Sequence, residues 1–96
     1  MIQQITLKTE SEVSLKPLVQ SAIQGKLQIL TIGINRTRER LAAFEKQYGI
    51  MTEEFERRFD GKDLKETLDF IDWSGEIEML RLLDGKYRAL AGVQIS

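Results

Sequence analysis

Between Pro17 and the glycine that follows Tyr48, one series runs at three- and four-residue spacing without a break: Ile23, Leu27, Leu30, Ile34, Thr37, Leu41, Phe44, Tyr48. That 3,4 alternation is the heptad period of a helix with a continuous apolar seam. Proline's fixed φ suits a first helical turn, and glycine is the usual left-handed residue just past a helix end. The two residues therefore bracket a helix over 17–48, about 48 Å long at ~1.5 Å per residue. A compact chain of this length has a radius of gyration of about 13 Å, so such a helix needs something running alongside it. Charged Lys26, Arg38, Arg40 and Glu45 flank the seam, as in coiled coils. Gly25 and Gly33, which each cost about 1 kcal/mol relative to alanine in a helix, predict places where another helix comes close. Ile29 and Ile32 lie off the seam and widen the apolar face.

Candidates for the covering element follow in the same chain. Thr52 is placed to cap a short helix over 52–60, with Glu53 and Glu54 at its positive end and Phe55 and Phe59 on one face. Gly61 ends it, and Lys62 to Thr67 reads as a loop. Phe70, Trp73, Ile77, Leu80, Leu83, Tyr87 and Leu90 then recur at helical spacing, with Leu68, Ile71, Met79 and Leu82 broadening the stripe, which predicts a second long helix over 66–92. Residues 1–14 form an arm, or a short strand in which Ile5 and Leu7 alternate with Thr6 and Lys8. The expected fold is all-α: a long helix, a short helix and a second long helix in an antiparallel hairpin. It is coiled-coil-like, a single domain over 1–96, and an elongated homodimer through the seam residues Leu27, Leu30, Ile34, Leu41, Phe44 and Tyr48.

Charge is uneven along the chain although the net value is −1. Residues 26–48 carry five Lys/Arg against two Glu, while residues 49–78 carry ten Asp/Glu against four Lys/Arg. The two segments either face each other or face water. With no histidine and no cysteine, the commonest general base, the commonest metal ligand and any thiolate site are missing. Asp69, Asp72 and Glu76 share a helix face, but in an exposed position they read as a solvated acidic surface. No nucleophile elbow, phosphate-cradling loop or dinucleotide fingerprint is present. The chain is expected to be non-enzymatic, to hold no metal or cofactor, and to be cytoplasmic, since it has neither a signal-peptide pattern nor a run of some twenty apolar residues. Arg36, Arg38 and Arg40 are the candidate contacts for nucleic acid, a weak footprint in a chain of net negative charge. The stretch from Asp69 to Ile77 holds the only tryptophan, with Gly75 two residues on. Trp73 is there either an internal packing residue or a binding anchor.

Two runs carry a resemblance. Phe44-Glu45-Lys46-Gln47-Tyr48-Gly49-Ile50-Met51-Thr52-Glu53-Glu54-Phe55, then Asp69-Phe70-Ile71-Asp72-Trp73-Ser74-Gly75-Glu76, resemble the "FEKKYGM-(S/T)-EEF" and "DFIEWxGE" segments of small helical antitoxin-like proteins of bacterial and archaeal type II toxin–antitoxin modules. The likeness covers residues 41 to 90 and departs at Gly61-Lys62-Asp63-Leu64, where the pattern has a "GELGD"-like segment. It implies a protein that neutralises a small basic toxin-like partner, encoded nearby, by covering it. Phe70, Asp72, Trp73, Gly75 and Glu76 are then the partner-binding candidates. A DNA-binding autoregulator of its own operon and a structural coiled-coil adaptor are the alternatives.

Overall fold

In the computed structural model of the chain, residues 3–8 and 14–95 are described. The elements run β1 (Gln3–Ile5), α1 (Leu15–Tyr48), α2 (Thr52–Asp60), α3 (Leu68–Ala91) and β2 (Val93–Ile95). The chain is mainly helical and elongated, 61 × 21 × 18 Å, with a radius of gyration of 18.9 Å. The seam stays one unbroken helix because no proline or left-handed residue interrupts it. Gly49 stops it at φ 70°, ψ 22°, with its N–H bonded to the Glu45 carbonyl at 2.8 Å, the left-handed cap in which glycine escapes the Cβ clash.

α3 runs back along α1, as three contacts from one end to the other establish. The Tyr48 and Phe70 rings lie 5.1 Å apart, Arg40 bonds Glu76, and Leu83 meets Gly33. Leu30, Ile34, Thr37 and Leu41 are buried within the single chain. The middle of the seam, from Leu30 to Leu41, is thus covered within the chain, while Tyr48 at its end stays 37% exposed. Of the two glycines expected to admit a close neighbour, Gly33 does so: a Cβ there would stand 3.2 Å from Leu83 Cδ1, whereas one at Gly25 would meet nothing within 4 Å. Ile29 and Ile32 are exposed.

Two local expectations change. α2 begins at Thr52, and the residue before it, Met51, holds the cap position without a side-chain bond. The Thr52 hydroxyl is engaged elsewhere, and its backbone N–H is taken by Glu45 Oε2 at 2.7 Å, so a carboxylate from α1 sits at the positive end of α2. α3 starts later than the pattern suggested, because Thr67 caps it by accepting the Phe70 N–H at 3.1 Å. The strand near the start is present as Gln3–Ile5 and pairs in parallel with Val93–Ile95, in the register Gln3↔Val93. The Gln4 side chain also donates to Gln94 Oε1 at 3.1 Å. The N-terminal arm beyond this strand falls partly on residues 9–13, outside the described residues.

Candidate functional site

The end of the hairpin where α2 packs is built on Trp73. Both Trp73 and Phe55 are fully buried, and they stack with ring centroids 3.9 Å apart at an interplanar angle of 2°. Phe44 of α1 lies parallel to the indole at 5.4 Å, and Tyr48 stacks at 5.9 Å. Phe70 is half-buried against the rings of Phe55, Phe59 and Tyr48. Leu41, Phe55, Trp73 and Ile77 form the core that joins all three helices, with Phe44, Phe59 and Phe70 packed against it. The indole N–H donates to Thr52 Oγ1 at 3.2 Å, which satisfies the one polar atom of a wholly buried side chain.

This core holds the start of α3 against the end of α1. Tyr48 donates its hydroxyl to Asp69, and Gln47 Nε2 reaches the same carboxylate at 3.3 Å. The bond to Asp69, then desolvation, then the like-signed carboxylate push the Tyr48 phenol above its ordinary value. Two turns on, Glu76 Oε1 accepts from Arg40 at 2.9 Å, while its Oε2 is buried without a hydrogen-bond partner among the described residues. Of the trio Asp69, Asp72 and Glu76, the outer two therefore latch α3 onto α1. The middle one, Asp72, is exposed and takes part in no ion pair among the described residues.

An open groove of about 630 Å³ runs between the two long helices, lined by Arg40, Ala43, Phe44 and Gln47 on α1 and Ile71, Asp72, Gly75 and Glu76 on α3. The five partner-binding candidates thus divide. Asp72, Gly75 and Glu76 face the groove, whereas Phe70 and Trp73 lie in the core behind it. The arginines divide too: Arg40 lines this groove, and Arg38 lines a second one of about 400 Å³ with Glu45, Thr52, Glu56 and Arg81 on the α2 side. Arg36, Arg38 and Arg40 are exposed; Arg36 and Arg40, four residues apart, share one face of α1, whereas Arg38 points to the opposite side.

Many of the acidic groups are already engaged. Glu54 binds Arg57 at 2.6 Å, and Arg81 bridges Glu56 at 2.6 Å and Glu78 at 2.9 Å. Hydrogen bonding to Arg57 draws the Glu54 carboxyl below its ordinary range, and bonding to Glu56 holds the Arg81 guanidinium above its own. Glu53, Asp60, Asp63, Glu66 and Asp72 are exposed and outside every ion pair among the described residues. No three carboxylates among those residues converge to hold a metal ion, and no described helix is long and apolar enough to cross a membrane. Sequence reasoning missed Glu45 and Thr52 as the groups that tie α2 to its neighbours, because a side chain reaching across a turn leaves no periodic signal. No family model, curated protein or solved structure matches the chain.

Proposed function

We propose that this chain is an antitoxin-like protein-binding module that covers a basic surface of a partner protein with its acidic end and acts without catalysis. The observation that carries this reading is the set of exposed acidic residues outside any ion pair among the described residues, Glu53, Asp60, Asp63, Glu66 and Asp72, on and beside the helices fixed by the Trp73 core. Charges that are neither buried nor paired add little to stability, but they raise encounter rates with an oppositely charged surface and fix its orientation. The resemblance of residues 41–90 to antitoxin-like proteins points the same way. The partner it fits is a small basic protein encoded nearby. Trp73 serves this surface from beneath as its frame.

The DNA-binding reading draws less support, since Arg38 points away from Arg36 and Arg40 on the helix and Arg40 is held by Glu76. The decisive experiment is surface capture of the adjacently encoded protein at low and high salt. Asp63→Lys and Asp72→Lys together should slow association severalfold, flatten its salt dependence and leave melting temperature unchanged. Capture and salt dependence identical to wild type would overturn the proposal.

A further inference from the structure

α3 is apolar on two faces, and the chain uses only one of them. Phe70, Trp73, Ile77 and Leu80 point inward to the core. On the other side, at three- and four-residue spacing, stand Leu68, Ile71, Gly75, Met79 and Leu82, which fall within an arc of about 80° at ~100° per residue. The four large side chains are 81%, 49%, 45% and 52% exposed. A Cβ added at Gly75 would meet nothing within 4 Å, so no contact among the described residues calls for a glycine there, although glycine in a helix interior costs about 1 kcal/mol relative to alanine.

The stripe is symmetric about that glycine. Leu68 and Leu82 lie equally far from it on either side, and so do Ile71 and Met79. A twofold contact requires this property, because one patch must be complementary to itself, residue i meeting j and j meeting i. The spacing sets the direction: only an antiparallel pairing about a twofold axis at Gly75 brings Leu68 opposite Leu82 and Ile71 opposite Met79.

We propose that a second copy of this chain docks on the outer face of α3, antiparallel, crossing at Gly75. Leu68 then packs on the partner subunit's Leu82, Ile71 on the partner subunit's Met79, and the glycines let the two backbones approach closely. This face differs from the α1 seam, whose central residues α3 already covers. The inference stands on α3 alone and not on the proposed basic partner, and it is tested on the isolated protein, so either can fail without the other.

The chain has no cysteine, so one introduced thiol reports by itself. Gly75→Cys and Gly25→Cys both place a side chain in open space on an exposed helix position. Equilibrated in a glutathione redox buffer, Gly75→Cys should form an intermolecular disulfide with an effective concentration roughly tenfold or more above that of Gly25→Cys, because facing glycines bring Cα atoms within disulfide reach. Sedimentation of the unmodified protein at submillimolar concentration should give a dimer. Ile71→Lys combined with Met79→Lys should give a monomer of unchanged helix content, since both side chains are half-exposed and outside the core. Equal cross-linking of the two cysteine variants, or a monomeric wild-type protein, would overturn the proposal.

Discussion

The bond between Trp73 and Thr52 offers a quantitative test of how the three helices are joined. Trp73 is fully buried, and Thr52 Oγ1 accepts its indole N–H at 3.2 Å. Thr52→Val keeps the shape of the side chain and removes the acceptor, leaving a buried donor without a partner. An unsatisfied buried donor costs about 1–3 kcal/mol. In a domain of this size each kcal/mol lowers the melting temperature by roughly 4–8 °C, so a loss near the middle of that range shifts it by roughly 8–16 °C. Thr52→Ser keeps the hydroxyl and should lose much less. The pair is isolated by repeating Thr52→Val in a Trp73→Phe background, where no indole N–H exists, and a double-mutant cycle then returns the coupling energy. Far-UV circular dichroism during urea and thermal unfolding measures all four proteins. A Thr52→Val protein within about 0.5 kcal/mol of wild type, the range of an ordinary surface change, would refute the assignment of Thr52 as the indole's partner, as would the absence of coupling.

Two further outcomes follow from the C-terminal end of α1. Gly49→Ala forces a Cβ into the left-handed region at φ 70° and should cost about 1–2 kcal/mol in urea unfolding; an unchanged midpoint would mean that the helix terminus relaxes freely. Tyr48 is held protonated by its bond to Asp69, with its pKa raised from 10.0. Its contribution is therefore complete below the ordinary tyrosine range and is lost as pH rises through the raised value. The stability difference between wild type and Tyr48→Phe should shrink on that alkaline side and stay constant between neutral pH and the start of the range, as pH-dependent urea unfolding would register.

The two long helices were legible in the sequence because their signals are local. An unbroken 3,4 series and the punctuation at Gly49 act over a turn or two, and α1 ends at Tyr48 as the pattern predicts. What the pattern could not supply was which of two apolar faces a helix turns inward. On α3 the stripe through Trp73 and the stripe through Ile71 have the same period, and the choice between core and anchor for Trp73 depends on Phe55 arriving from α2. Thr52 illustrates the same limit. A threonine before two glutamates reads as a helix cap, but its hydroxyl is drawn to the indole. β2 is three residues long, shorter than any periodicity can register, and its partner strand lies at the opposite end of the chain.

The charge asymmetry of the sequence bears on why the acidic residues are present. If the basic and acidic segments neutralised each other across the hairpin, ion pairs between α1 and the acidic segment would recur along it. Among the described residues only Arg40–Glu76 makes that crossing, while Arg57, Arg81 and Arg88 pair within or beside α2 and α3. Exposed pairs of this kind contribute about 0–1 kcal/mol each, whereas truncating a buried aromatic such as Trp73 costs about 3–5 kcal/mol. Stability therefore rests on the ring cluster, and Asp63 and Asp72 contribute almost nothing to it. Reversing their charge separates the two roles: a melting temperature that stays put while association with a basic partner slows would assign these carboxylates to recognition, and a fall in melting temperature alone would assign them to the fold.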